Sequence, residues 1–373
     1  MQIVSCVVII KYIILAGYTL CRKYQKEGTF MKALYLEEYG RLAMREVPTP
    51  ECKPDEVLLK IKACAICGSD VHGFAGKTQR RIPPVIMGHE ASGVIVKTGA
   101  QVTKFKEGDR VVFNSSLSCG SCYFCNRGMS NLCTDAKVFG VNCADYHLDG
   151  AMAEYACIPE RILYALPDTL DYVQGAMIEP LSIALHAVNR TPIMTDDRAV
   201  VIGTGPIGMM LIKVLKNTGV SHITAVDIDD SRLKAALEAG ADCAYNSQTQ
   251  DVNAPIREAA PKGADRVFEA VGIHHTLNSA LDYVRKGGTV TVVGNAMPNG
   301  DIAFQKIVLK ELQVIGTYAC ANEYETALSL MGQNKVAADD ILSAVDSLDN
   351  AQIWFDKLHN REPGLMKVVL TID

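Results

Sequence analysis

Hydrophobic positions change their spacing midway along this chain. From Met31 to about residue 167 they fall in short, partly alternating runs separated by turn residues. Residues 57–63 (VLLKIKA) and 91–97 (ASGVIVK) read as strands. Lys106-Glu107-Gly108-Asp109-Arg110 reads as a turn leading into the apolar run 111–113. This pattern predicts a Greek-key or barrel-like β region carrying long loops. Residues 172–188 then place apolar side chains at helical spacing. From Arg198 onward strands (199–202, 223–226, 266–268, 289–293) alternate with helices (207–217, 231–239, 275–283). Such alternation implies βαβ units and a parallel sheet, hence an α/β fold. Residues 322–331 and 351–358 read as further helices, and 367–371 as a closing strand.

Residues 1–30 follow neither pattern. The stretch 3–20 is apolar apart from Lys11 and a few small polar side chains, and Arg22, Lys23 and Lys26 follow it. Met31 opens the first strand-like run, so the leading thirty residues read as an extension upstream of the domain proper. A membrane anchor and a cleaved signal are the alternatives. Nothing else in the chain approaches a membrane span.

Length and composition narrow the class. A chain of 373 residues suggests two domains. Its 49% hydrophobic and 21% charged residues are those of a globular protein with buried cores. A net charge of −5 without a Lys/Arg block argues against nucleic acid as partner. The 13 cysteines are too dilute and too odd in number for a disulfide scaffold.

Two groups of motifs carry candidate chemistry. In the second half, an apolar strand runs into Gly203-Thr204-Gly205-Pro206-Ile207-Gly208 and then a helix. Gly203 permits the tight turn, Gly205 the approach of a pyrophosphate, and Gly208 close helix–strand packing. Pro206 and Ile207 open the helix whose N-terminus faces that phosphate. Asp227 ends the next strand, where a carboxylate accepts from ribose hydroxyls and repels a 2′-phosphate, favouring NAD. Arg232 lies near enough to join the cofactor contacts and runs against that preference. In the first half, Cys119, Cys122, Cys125 and Cys133 have the spacing of a closed tetrahedral zinc site that staples a loop. Cys67-Gly68-Ser69-Asp70-Val71-His72, Gly88-His89-Glu90 and Glu179-Pro180 offer a dispersed Cys, His and carboxylate set. Such a mixed set suits zinc with an open position for water or substrate.

In this order the motifs resemble the zinc-dependent medium-chain dehydrogenases/reductases, over essentially all of residues 31–373. Glu179-Pro180 is similar to the sorbitol (polyol) and threonine dehydrogenase branch. The resemblance implies a GroES-like β-rich catalytic domain (31–182), a Rossmann NAD-binding domain (183–318), and a C-terminal return to the catalytic domain (319–373). It implies two zinc ions per subunit. Cys67, His89 and a carboxylate, Glu90 or Glu179, would hold the catalytic one. Cys119, Cys122, Cys125 and Cys133 would hold the structural one. Ser69 would start a proton relay, with His72 as its outlet. The implied reaction is hydride transfer between NAD and an alcohol, polyol or other secondary alcohol. L-threonine or a polyol phosphate is the alternative substrate, and a zinc-stabilised NAD sensor without catalysis is the reading from another class. A homodimer or homotetramer in the cytoplasm is expected, with no membrane partner. Eight cysteines remain as free thiols or in the leader (Cys6, Cys21), and none is expected in a disulfide. Arg80-Arg81 is expected to be a solvated basic turn, and Phe74 a candidate pocket residue.

Overall fold

The structure is a computed structural model that describes residues 29–373. The extension expected over residues 1–30 therefore lies, but for its last two residues, outside the described residues. Strand β1 (Phe30–Glu38) pairs antiparallel with β2 (Arg41–Pro48). Strand β3 (Glu56–Ala65) runs into a short helix, α1 (Gly68–Phe74). It is followed by β4 (Glu90–Thr98), β5 (Arg110–Phe113), β6 (Tyr155–Pro159) and β7 (Leu163–Ala165). These are Val-, Ile- and aromatic-containing segments, suited to a pleated, half-buried surface.

The expected helix over 172–188 is two helices, α2 (Tyr172–Ala176) and α3 (Ile178–Arg190), meeting at Met177. Pro180 explains the position of the restart. A proline is tolerated in a first helical turn, where its missing N–H leaves no bond unmade, but not in a helix interior. The break places Glu179 in the first turn of α3.

The α/β half contains β8 (Arg198–Ile202), α4 (Pro206–Thr218), β9 (His222–Asp227), α5 (Asp230–Glu238) and β10 (Cys243–Asn246). It continues with α6 (Asn253–Ala259), β11 (Ala264–Glu269), α7 (His274–Tyr283), β12 (Val284–Val292), α8 (Phe304–Leu309) and β13 (Gln313–Gly316). Its six strands are all parallel in the order β10-β9-β8-β11-β12-β13. The order reverses direction beside β8, and such a switch point opens a crevice at the carboxyl ends of the strands. The chain ends with α9 (Tyr324–Gly332), β14 (Leu342–Ser347), α10 (Ala351–His359) and β15 (Lys367–Thr371).

Strand β15 returns to the first half, where it pairs antiparallel with the end of β3. The mixed sheet there runs β7-β5-β4-β3-β15-β14, with β6 also on β3. Its register sets Ala65 opposite both Glu90 and Val369, so the segment entering Cys67 lies beside Glu90 and Lys367. Helices α3 and α4 pack through Leu181, Leu185, Met210, Leu211 and Val214 in one core. Each fully buried leucine there contributes roughly 1.5–3 kcal/mol. Helix α10 packs on α1, with the rings of Phe355 and Phe74 5.3 Å apart. Phe74 is thus a core residue and not a pocket wall.

One cysteine expectation is corrected. Cys52 and Cys157 form a disulfide with Cα atoms 5.3 Å apart. Pairing of β6 with the start of β3 sets Cys157 opposite Leu58 and Pro159 opposite Glu56. The turn at 53–56 brings Cys52 back alongside. The partners are 105 residues apart, and only the strand register joins them. Among the described residues no helix is long and apolar enough to cross a membrane.

Candidate active site

Three segments converge below the end of β3. Cys67 precedes α1, and its backbone N–H donates to Asp70 Oδ2 at 3.3 Å. Asp70 is fully buried, and its Oδ1 accepts from Arg81 Nη2 at 3.0 Å and Nε at 3.2 Å. Arg81 also reaches Ser69 Oγ at 3.4 Å. The expectation of a solvated basic turn is therefore corrected for Arg81, which is buried. Arg80 does stay exposed, donating to the Tyr146 hydroxyl. Arg81 turns inward because the sealed carboxylate of Asp70 needs a cation, and a guanidinium fork supplies two donors at once.

The other side of Asp70 faces His89. Asp70 Oδ2 lies 3.4 Å from His89 Nδ1, out of line for a hydrogen bond, so that buried nitrogen lacks a partner. Glu90 opens β4, and its Oε2 is 2.5 Å from Lys367 Nζ, which also donates to Ile66 O at 3.2 Å. One ligand atom each from Cys67, His89 and Glu90 lies within 4.8 Å of the others. Glu179 stands outside this trio, with Oε1 accepting from Ser115 Oγ at 3.1 Å. Lys367 and Ser115 had no signature in the sequence, because each acts across long sequence separations.

The electrostatics fit a cation. Burial pushes the Glu179 carboxyl up to about 7, and the neighbouring Glu90 pushes the same way. Burial opposes charge on His89, yet Asp70 and Cys67 together outweigh it and raise that imidazole well above its usual range. The two buried cations here are each taken, Arg81 by Asp70 and Lys367 by Glu90, so the Glu179 carboxyl has no cation of its own. A divalent ion among Cys67, His89 and a carboxylate would supply the missing positive charge.

The four-cysteine lobe is a second group able to hold a metal ion. One sulfur from each of Cys119, Cys122, Cys125 and Cys133 lies within 4.8 Å of the rest. Backbone N–H groups of Ser121 and Cys122 point at Cys119 Sγ, and those of Cys119 and Asp135 at Cys133 Sγ. Amide donors around Cys122, first among them that of Cys125, hold its thiol down to about 5, favouring thiolate. Thiolate is the form that ligates metal. Beside the lobe, Asn131 donates to Tyr318 O at 2.8 Å, and its amide meets His186 Nε2 at 3.2 Å. His186 Nδ1 lies 2.9 Å from Glu323 Oε1. The lobe thus docks on α3 and on the segment leaving β13.

At the switch point, Gly203 has φ +88°. A Cβ at Gly208 would collide with Gly203 O, and none would meet protein atoms at Gly205. The space over Gly205 and the N-terminus of α4, with Pro206 and Ile207 in its first turn, is open to an anion. Asp227 ends β9. Its Oδ2 accepts from Thr204 N at 2.6 Å and Thr204 Oγ1 at 3.0 Å, and its Oδ1 from Ile228 N and Asp229 N. Thr204 was unremarkable in the sequence but locks the glycine turn to the carboxylate. Arg232 sits 3.9 Å from Asp229 and donates to Leu365 O. Ser69 and His72 are both exposed on α1.

Two family models match this chain. Alcohol dehydrogenase GroES-like domain covers residues 53–168, and zinc-binding dehydrogenase covers 206–333. A sorbitol dehydrogenase from Halalkalibacterium halodurans is 36% identical over 349 residues, 91% of this chain and 99% of that protein. The chain belongs to the zinc-binding alcohol dehydrogenase family. The dehydrogenase is an oxidoreductase of alcohols or polyols that works with zinc and a nicotinamide cofactor, on a GroES-like domain joined to a Rossmann sheet. Among solved structures, 2R,3R-butanediol dehydrogenase from Bacillus subtilis aligns with TM-score 0.83 at 30% identity, covering 92% of this chain and all of that one. A zinc-binding dehydrogenase from Sinorhizobium meliloti bound to NADP aligns with TM-score 0.84 at 30% identity and the same coverage.

Proposed function

We propose that this enzyme interconverts a secondary alcohol of a polyol and its ketone, with NAD as the preferred cofactor. The convergence of Cys67, His89 and Glu90 at one buried point supports this reading most. Cys67, His89 and Glu90 would hold the catalytic zinc, with Glu179 as the carboxylate in reserve beyond Ser115. The four cysteines of the lobe would hold a second, structural zinc. When bound, the catalytic zinc supplies a Lewis acid that makes an alcohol proton easier to lose, and the cofactor supplies the hydride acceptor.

The chain's own residues do the rest. Asp70 faces His89 Nδ1 at 3.4 Å and would favour charge on that imidazole, and Lys367 fixes Glu90 and balances its charge. Ser69, beside Cys67, takes the alcohol proton, and the exposed His72 passes it to solvent. With the cofactor bound, the alcohol carbon would give up hydride and its oxygen a proton, so that the products would be ketone, reduced cofactor and a proton. A panel of sorbitol, xylitol, 2,3-butanediol, a polyol phosphate and L-threonine, read by absorbance of the reduced cofactor, tests the substrate class. Turnover of none of the polyols by protein carrying two zinc ions would refute it.

Asp227 supports the cofactor preference. A 2′-phosphate would have to sit against a carboxylate whose four hydrogen bonds prevent it from turning away. Asp227→Ser is expected to lower the NAD/NADP ratio of kcat/KM by about tenfold or more. An unchanged ratio removes Asp227 from this role.

We also infer a homo-oligomer joined through the edge of the parallel sheet. Strand β13 has no neighbour on its outer side among the described residues. Beside it Phe304, Val308 and Leu309 on α8 are 72%, 75% and 74% exposed. An open strand edge flanked by large apolar side chains is an aggregation hazard unless covered. A two-fold axis would let the same patch of a second copy cover it. Leu309→Glu is expected to shift light scattering toward the monomer mass, and a wild-type monomer at working concentration contradicts the inference.

A further inference from the structure

The amino ends of the parallel strands, opposite the glycine loop, carry a feature that alcohol oxidation does not use. An open cleft of about 930 Å³ there is lined by Arg198, Arg257, Lys262, Arg285, Lys286 and Lys310. Asp265 is the one carboxylate among its lining residues. Six cations in one cleft are a local reversal of sign in a chain of net charge −5.

Two of the six are already engaged. Arg285 Nε lies 2.5 Å from Asp265 Oδ1, and Asp265 Oδ2 accepts from Arg198 N at 2.9 Å, so both oxygens of that carboxylate are occupied. Lys310 Nζ donates to the carbonyls of Leu281, Asp282 and Val284, closing the C-terminal end of α7. The side chains of Arg198, Arg257, Lys262 and Lys286 are exposed and have no hydrogen-bond or ion-pair partner among the described residues. The cleft wall is fixed as well. Gly263 has φ +96°, and a Cβ there would lie 2.8 Å from Arg285 N, so the loop 261–263 is pressed onto the start of β12.

We propose that this cleft binds a compact polyanion carrying two or more phosphate groups, at a site separate from the active centre. Guanidinium forks match phosphate oxygens two at a time, and ammonium groups add charge without geometric demand. A single small anion would leave most of the four free cations unanswered. The cleft has the volume of a small-molecule site rather than the long basic surface that a nucleic acid needs. It lies a strand length, roughly 15–20 Å, from the glycine loop, so it stays available while the cofactor is bound. Inorganic tripolyphosphate and a nucleoside triphosphate share this chemistry.

Calorimetric titration of the zinc-loaded full chain, saturated with NAD so that the glycine loop is filled, tests the site with tripolyphosphate and separately with ATP. One-to-one binding that weakens with added salt is expected. The variant Arg257→Glu/Lys286→Glu is expected to weaken it by about tenfold or more with alcohol turnover unchanged. Tighter binding of ATP than of tripolyphosphate assigns the site to a nucleotide, and equal binding to the phosphate chain alone. On the wild-type protein, tripolyphosphate should protect Lys262 and Lys286 from acetylation. Absence of binding at about 1 mM, binding indifferent to the double substitution, or unprotected lysines would overturn the proposal.

Discussion

Cys67→Ser is expected to lower kcat/KM by at least about a thousandfold, the scale of losing several kcal/mol of charge stabilisation at the reacting oxygen. Cofactor binding should survive, because the loop and helix start with Gly203, Gly205 and Gly208, and Asp227 at the end of β9, belong to the α/β half and make no hydrogen bond to α1. If each site holds the zinc proposed for it, zinc analysis should fall by one ion per chain, since the four-cysteine lobe is untouched. Fluorescence of bound reduced cofactor, metal content and initial rates give the three readouts. Near-native turnover would remove Cys67 from the metal site. Loss of cofactor affinity in parallel would mean that the substitution had disturbed the fold and not the chemistry alone.

The parts of this protein that could be read from its sequence are those whose partners are close along the chain. The four cysteines occupy fifteen residues, and the glycine turn with its flanking strand and helix is a single local unit. The change from alternating to helical spacing near residue 170 separated a β-rich half from a parallel α/β half, because side-chain period reports secondary structure directly. The dispersed Cys67, His89, Glu90 and Glu179 could be gathered only by resemblance, since spacing alone left the joint site open. What escaped depends on strand register. Lys367 reaches Glu90 because β15 pairs with the end of β3. Cys52 meets Cys157 because β6 pairs with its beginning. Ser115 holds Glu179 across 64 residues. The helical spacing over 172–188 spans two helices, because apolar periodicity continues across Met177 whereas the helix itself does not.

Arg81 is the residue whose environment was least visible, and its removal is expected to have the largest effect on stability. Arg81→Met leaves Asp70 as a fully buried carboxylate with no full cation paired to it, only the Cys67 N–H and His89 beside it. Breaking a buried ion pair in this way typically costs about 3–5 kcal/mol, readable as a fall in the midpoint of denaturant unfolding. Methionine keeps most of the volume, so the loss should come from charge and not from a cavity. The double variant Asp70→Leu/Arg81→Met removes both charges and should recover much of that stability. It should not recover turnover, because His89 then lacks the carboxylate that faces its Nδ1. Recovery of both would make the Asp70–Arg81 pair a structural support alone. An unchanged midpoint in Arg81→Met would mean that water reaches Asp70, and that the pair does not hold the segment between Cys67 and His89 in place.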